Sequence, residues 1–375
     1  MTVKKKKRVL ILFSDVNYSP QLISILQELD NHETNFQIVL IGELEAQIVG
    51  QIKAFKWKLR VIRKTGKFGS IFHFLVVSVL ILRIRPEVVF TSGQFATVIG
   101  ILSARVFRVP QRIFIRHHSN FHYKYDFKFG ILLDHVTNIL STDIVAVSAI
   151  VKNILISKEG VSSKKIRLIY NGINLEKFQK IGNVKSKKFS EINEQERLFT
   201  IGVISRLTDW KGVEYIATAF VKLQREFPNS RLHIIGAFAD SYLDVKNILS
   251  ILASDTYRLD KSNFNIPLFL HGLDAFIHVP VGIDDEAFGI VYIEALASGI
   301  PCIFTQSGVL NELETPDRYA HLVAFRNSDE IYLNLKQLIQ GKNESKVAVP
   351  ESWLNQFSLE EMANRYADLL LGVKR

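Results

Sequence analysis

Residues 285–312, DEAFGIVYIEALASGIPCIFTQSGVLNE, decide how this chain is read. Glu286 and Glu294 lie on either side of the turn Ala287-Phe288-Gly289, and the apolar run after the turn predicts a helix starting near Ile290. That puts Glu286 in a loop and Glu294 about one turn into the helix. The backbone amides of Phe288, Gly289 and Ile290 should then point into the space between them. Unsatisfied amides at a helix start attract anions, whereas ionised carboxylates can only accept hydrogen bonds and so suit sugar hydroxyls. A site offering both fits a ligand made of phosphate and sugar. Downstream, Cys302 falls in PCIF, which reads as a buried strand, so this single cysteine is expected to be structural.

Upstream, the strand expected over Leu198–Ile204 runs directly into Ser205-Arg206-Leu207-Thr208-Asp209-Trp210-Lys211-Gly212. Arg206 then stands at the carboxyl end of the strand and Lys211 at the start of the next helix. A guanidinium fork and an ammonium point charge across one strand-to-helix turn can clamp a diphosphate and neutralise the charge that grows on a leaving nucleotide. In isolation these are two basic residues in an exposed loop; joined to the Glu286 segment in the same expected domain, they gain a shared purpose.

Short apolar runs alternate with helical patterns along the whole chain. Strands are expected at Val9–Phe13, Phe36–Ile41, Val88–Thr91, Ile113–Arg116, Asp143–Val147 and Ile166–Tyr170, then at Leu198–Ile204, Arg231–Ile235, Asp274–Val279, Pro301–Phe304 and Ala320–Ala324. Helical patterns fall around Gln21–Leu29, Ile71–Leu82, Ala96–Val106, Val213–Phe227 and Glu330–Ile339. This alternation, with nearly continuous apolar strands, predicts an α/β protein with two doubly wound parallel sheets facing across a cleft. The expected domains are 1–180, 195–350 and a last helix in 351–375 that returns to the first domain. The polar stretch 179–197 serves as linker. In the last segment Ser358 and Glu361 form a capping-box pattern, with Phe357 and Met362 spaced as a hydrophobic staple.

Composition excludes several classes. A hydrophobic fraction of 47% with 22% charged residues is that of a well-cored globular chain, not a disordered one. A single cysteine rules out a disulfide framework and agrees with a reducing, cytoplasmic setting. The basic start KKKKRVLILFSD lacks both a long apolar core and a cleavage site, and reads as a first strand rather than a leader. The longest apolar stretch, Ile71–Leu82, is too short to span a bilayer.

Charge is uneven: residues 1–185 carry a net +16 and residues 186–375 a net −6. Within 52–70, IKAFKWKLRVIRKTGKFGS, aromatic residues interleave with cations. Such a stretch suits an anionic membrane surface, which would make the protein peripheral on the inner face. It also reads as a solvated face bearing a strand, since WKLRVI alternates. Nucleic acid is the less favoured partner, because it leaves the acidic second half and the Glu286–Glu294 spacing without a use.

No Asp-x-Asp occurs, and no Cys/His cluster has zinc spacing. In RHHSNFHY, 116–123, His117 and His118 leave the end of a strand where both cannot face one metal, so no metal is expected. Either histidine could meet the donor sugar or the acceptor, or be an ordinary hydrogen-bonded histidine.

At this point the residues are similar to a known family. VAVS at 145–148, IYNGINLEKF at 169–178, ISRLTDWKG at 204–212 and EAFGIVYIEALASGIP at 286–301 occur in the order found in the large fourth family of GT-B glycosyltransferases, which are retaining and use nucleotide sugars. The resemblance covers about residues 86 to 340. It implies Arg206 and Lys211 on the donor diphosphate, Glu286 on the sugar hydroxyls, Phe288-Gly289-Ile290 approaching by backbone, and Glu294 on the ribose. His117 matches the family's strand-end histidine, with His118 as the alternative. No cofactor is implied, because the nucleotide sugar, UDP- or GDP-linked with UDP favoured, is a substrate; the acceptor is expected to be a lipid-linked or cell-envelope glycan. A nucleotide-sugar epimerase on the same fold and a nucleic-acid-binding protein are the alternatives. The chain departs from the family pattern in FSDVNYSP, which lacks a glycine-rich loop after the first strand. It departs again in Gly308-Val309, where a Gly-Gly pair is usual before Glu312, and in the absence of a recognisable glycine-bearing strand before Asp274.

Overall fold

A computed structural model describes residues 6–64, 69–179, 198–239, 241–262, 265–342 and 346–373. The chain divides into two compact units. One comprises Met1–Gly172 with Gln356–Arg375, the other Ile173–Asn355.

The first unit is built on β1 (Arg8–Ser14), β2 (Asn35–Ile41), β3 (Leu59–Ile62), β4 (Val88–Ser92), β5 (Gln111–Arg116), β6 (Asp143–Ala146) and β7 (Ile166–Leu168), in the order β3-β2-β1-β4-β5-β6-β7. Every pairing is parallel. A parallel strand covered on both faces needs apolar side chains in both directions, and β1 supplies them. Val9, Ile11 and Phe13 join a core with helices Pro20–Asn31, Gln47–Ala54 and Leu359–Leu371. Leu10 and Leu12 join another with helices Gly69–Ile84 and Gln94–Val106.

The second unit repeats the plan with β8 (Phe199–Ile204), β9 (Ser230–Ile235), β10 (Tyr257–Asp260), β11 (Ala275–His278), β12 (Cys302–Phe304) and β13 (His321–Leu322). Their order is β10-β9-β8-β11-β12-β13, again parallel throughout. In both sheets strand addition reverses direction beside the first strand, between β1 and β4 and between β8 and β11. In doubly wound sheets the carboxyl ends of such a pair form the natural ligand crevice. Both units are Rossmann-like.

Helix Leu359–Leu371 packs on helix Pro20–Asn31. Ser358 Oγ accepts from the Glu361 amide at 3.0 Å, and Phe357 and Met362 are buried. The Glu361 carboxylate, however, accepts from Arg365 Nε at 2.6 Å, so the side-chain half of the capping box is used for an i,i+4 ion pair instead. The boundaries fall at 172/173 and 355/356, not at 180 and 351. The reason for the first is local. Helix Leu175–Gln179 packs on helix Ile290–Ala297, and the Phe178 carbonyl pairs with His271 Nε2 at 2.6 Å, which ties residues 173–179 to the second unit. Residues 180–197 of the expected linker lie outside the described residues.

The sequence reading did not place β10, an edge strand whose four residues Tyr-Arg-Leu-Asp include two charges. It also did not place helices Gln47–Ala54 and Lys128–Leu140. Cys302 is buried in β12, and burial pushes its thiol up. No described helix is long and apolar enough to cross a membrane.

Candidate functional site

The expected residues of the second unit converge around the ends of β8 and β11. After β8 the chain turns through Asp209–Lys211 into helix Val213–Glu226. Gly212 has φ +66°, and a Cβ there would meet the Val279 carbonyl oxygen at 2.2 Å. Only glycine lets this turn lie so close to the end of β11. Val281 N–H donates to the Trp210 carbonyl at 3.1 Å, fastening the two loops. Lys211 Nζ is thereby delivered to Glu286 Oε1, with which it forms a hydrogen-bonded ion pair.

Glu286 is buried and its loop is held in place: its amide donates to Ser307 Oγ at 3.2 Å. Gly308, at φ +56°, lets the chain pass where a Cβ would meet the Phe288 carbonyl oxygen at 2.5 Å and Glu286 Cβ at 2.8 Å. Val309 N–H then donates to the Phe288 carbonyl at 2.8 Å. The Gly308-Val309 pair thus provides the close approach with one glycine. A third group, His278 at the end of β11, places Nε2 2.8 Å from the same Glu286 Oε1. Burial alone would raise the Glu286 carboxyl. The Lys211 charge and the His278 hydrogen bond outweigh it and hold it at about 2. Oε1 is therefore engaged twice, while Oε2 has no partner among the described residues.

Helix Ile290–Ala297 begins at Gly289 without a side-chain cap. The amides of Gly289, Ile290 and Val291 donate to no acceptor among the described residues, which leaves a cluster of positive dipole ends. Phe288 is buried, and its carbonyl is taken up by Val309. Glu294, one turn along, has no hydrogen bond or ion pair to its carboxylate among the described residues, and burial pushes it up to about 8. Part of the residue remains accessible to solvent, which screens that effect. Arg206, directly after β8 and Ser205, is exposed and its guanidinium is likewise unpaired among the described residues. The structure brings Lys211 and Glu286 into contact, places Glu294 and the free amides on the adjoining helix, and leaves Arg206 open at the neighbouring strand end.

Sequence reasoning missed His278, Ser307 and Tyr292. Tyr292 is fully buried, donates to the Thr305 carbonyl at 3.0 Å and stacks edge-on against His278 at 4.8 Å between centroids. The pattern AFIHVP offered one signal, a lone histidine at the end of an otherwise apolar strand.

In the first unit the two candidate histidines part company. His117 is exposed, with Nε2 3.0 Å from Ser92 Oγ. His118 turns inward, its Nε2 3.5 Å from Asp134 Oδ1. Both line a pocket of about 60 Å³ beside Gly93, Gln94 and Thr97. His122 Nδ1 lies 2.7 Å from Asp134 Oδ2, so His118, His122 and Asp134 form a group with metal-ligand atoms within 4.8 Å of one another. Asp134 lies outside the RHHSNFHY segment, and the spacing argument made from that segment did not see this group. Arg116 Nη1 is also 2.9 Å from Asp134 Oδ1, and Arg116 Nη2 pairs with Glu159. A guanidinium already holding the carboxylate repels a second cation, so the group is a hydrogen-bonded charge network.

Comparison with known proteins agrees with this architecture. Residues 42–177 match the model of Glycosyltransferase Family 4, and residues 184–351 match that of glycosyl transferases group 1. Each match spans less than half of the chain, and both are to glycosyltransferase models, so the chain is similar to fourth-family glycosyltransferases along most of its length. The capsular polysaccharide biosynthesis glycosyltransferase CapM of Staphylococcus aureus is 25% identical over 250 residues, covering 65% of this chain and 64% of that protein. A GDP-mannose-dependent alpha-(1-6)-phosphatidylinositol monomannoside mannosyltransferase of Mycobacterium tuberculosis is 27% identical over 188 residues, covering 46% and 47%. The matched stretches of the first curated relatives thus span 51% to 64% of their lengths. Anabaena HepE, solved in complex with UDP and glucose, superposes with a TM-score of 0.77 at 17% identity, covering 97% of this chain and 100% of that one. At that identity the likeness establishes the GT-B fold alone.

Proposed function

We propose that the protein is a retaining, metal-independent glycosyltransferase that moves a sugar from a UDP-sugar, or less favourably a GDP-sugar, to a hydroxyl of a lipid-linked or cell-envelope glycan. The observation that carries this reading is the division of labour on Glu286: Oε1 is fixed by Lys211 and His278, and Oε2 is left to accept from a ligand. A carboxylate held ionised beside unsatisfied helix-start amides and an unpaired arginine has the donor set for sugar hydroxyls and a diphosphate together. The relatives named for capsule and phosphatidylinositol-mannoside synthesis support an envelope acceptor.

In this reading the acceptor oxygen bonds to the anomeric carbon on the face from which the nucleoside diphosphate departs. The carbon–phosphate oxygen bond breaks with its electron pair going to the diphosphate, and the acceptor proton passes to a donor phosphate oxygen. Lys211, Arg206 and the Gly289–Val291 amides stabilise the leaving charge. Glu286 and Glu294 orient the sugar and the ribose. Within the first unit, His118 is committed to Asp134, whereas His117 is exposed beside Ser92.

Thermal shift with UDP, GDP and a panel of nucleotide sugars, followed by donor turnover with and without a polyprenyl-linked saccharide acceptor, tests the reading. Stabilisation by UDP and acceptor-dependent release of UDP are expected. Conversion of the donor to a second nucleotide sugar without acceptor would make the protein an epimerase.

A further inference from the structure

Helices Gly69–Ile84, Gln94–Val106 and Lys128–Leu140 form one layer on the first unit, the middle helix packing against both others. The first two bury apolar residues against the sheet, and the third buries Gly130, Asp134, Thr137 and Asn138. Their outward faces are not polar. On the first helix Ile71, Leu75 and Leu82 are 67%, 56% and 54% exposed, and they share a stripe at i, i+4 and i+11. On the third, Phe129, Leu132 and Ile139 are 61%, 56% and 75% exposed at i, i+3 and i+10. Single exposed apolar residues need no explanation, but stripes on the two outer helices, with Leu102 and Val106 exposed on the helix between them, form a patch of the kind that marks an interaction surface.

The charges around the patch choose the partner. Arg83 and Lys128 directly adjoin stripe residues and Arg105 adjoins the exposed Val106 of the middle helix; all three are exposed and form no ion pair among the described residues. Residues 69–140 contain eight Lys and Arg against three acids. Of those acids, Asp134 is buried and Glu87 accepts from the Arg8 amide at 2.9 Å, leaving Asp126 as the exposed one. A second copy docked on this face by symmetry would set cation against cation. An anionic lipid surface instead offers hydrocarbon to the stripes and counter-charge to their borders. Each cation near such a surface strengthens partitioning about fivefold.

We propose that this three-helix face seats the protein on an anionic lipid bilayer, with the stripes entering the headgroup–acyl boundary. The surface differs from the basic stretch at 52–70 picked out by composition, and it depends on the glycosyltransferase reading only in that a lipid-linked acceptor gives it a use.

Co-sedimentation of the full chain with phosphatidylcholine vesicles, with and without phosphatidylglycerol, tests it in the absence of any nucleotide. Wild type should sediment with the anionic vesicles, and added salt should weaken this. The triple variant Ile71→Ser, Leu75→Ser, Leu132→Ser should lower partitioning at least about tenfold while keeping wild-type melting and the wild-type melting shift with UDP. The set Arg83→Gln, Arg105→Gln, Lys128→Gln should also lose binding and flatten the salt dependence. Failure of wild type to bind anionic vesicles, or unchanged binding by the serine variant, overturns the proposal. So does a wild-type dimer in light scattering that the serine variant splits, since the face would then join two copies. Because UDP binding is measured separately, loss of the donor reading and loss of the membrane reading are distinguishable.

Discussion

Each unit pairs a cation with buried carboxylate at the carboxyl ends of its parallel strands, Arg116 with two acids and Lys211 with one, and the two clusters end differently. In the first unit Arg116 joins Asp134 and Glu159, His118 and His122 close on Asp134, and Asn138 Nδ2 donates to Glu159 Oε2 at 2.6 Å. Every carboxylate oxygen there has a partner. In the second unit Lys211 and His278 share a single oxygen of Glu286, and around it stand an open oxygen, an unpaired arginine, unsatisfied amides and Glu294. Carboxylates that are engaged at both oxygens hold the fold, whereas one with an open oxygen keeps some capacity for a ligand.

The sharpest way to break this contrast is to remove both cations and compare the losses. Arg116→Ala strands two buried carboxylates and should cost about 3–5 kcal/mol of stability, seen in chemical denaturation, with UDP affinity retained in the folded fraction. If Arg116→Ala melted like wild type but abolished donor binding, the first cluster would be the ligand site and the contrast would be reversed. Lys211→Ala should lower turnover about 100- to 1,000-fold. It should also destabilise, because Glu286 would be buried without its counter-charge. Arg206→Ala should lower turnover by about two orders of magnitude with melting unchanged, since its side chain is exposed and unpaired. Equal stability losses for the two would show that Lys211 does not neutralise Glu286.

Smaller effects sharpen the picture. Glu286, held at about 2, contributes stability that is fully present above its ordinary carboxylate value and is lost as pH falls toward 2. Acid titration of Glu286→Gln should lack that loss. Glu294 acts in the opposite sense: raised to about 8, it costs stability increasingly as pH climbs from its ordinary value toward 8. Ribose hydroxyls favour the ionised form, so UDP affinity should rise as pH passes through about 8 in wild type and stay flat in Glu294→Gln. Calorimetric titration across that range decides it; a flat wild-type profile removes Glu294 from the ribose.

Part of the second unit's site was legible in the sequence because two of its segments are local, although Lys211 meets Glu286 only through the fold. Arg206 and Lys211 lie within one strand-to-helix turn, and the segment from Glu286 to Glu294 spans one loop and its helix, so spacing alone fixed the relations within each. What escaped depended on contacts across strands. His278 joins Glu286 only because β11 ends beside that loop, and Asp134 reaches His118 only because helix Lys128–Leu140 folds back over β5. β10 escaped for a different reason: an edge strand has no need of the apolar run that betrays a central one. Of the outward stripes, one was read only as an apolar pattern at Ile71–Leu82, since a hydrophobic helix does not announce which of its sides will stay uncovered, and the other lies on helix Lys128–Leu140, which the sequence reading did not place.

The return of residues 359–371 to the first unit has a consequence for biosynthesis. Met362, Tyr366 and Leu370 complete the core to which Val9, Ile11 and Phe13 belong. A part of the polypeptide made early therefore waits for a part made much later before that core is complete. The second unit's buried core draws on residues 201–335 alone and has no such dependence.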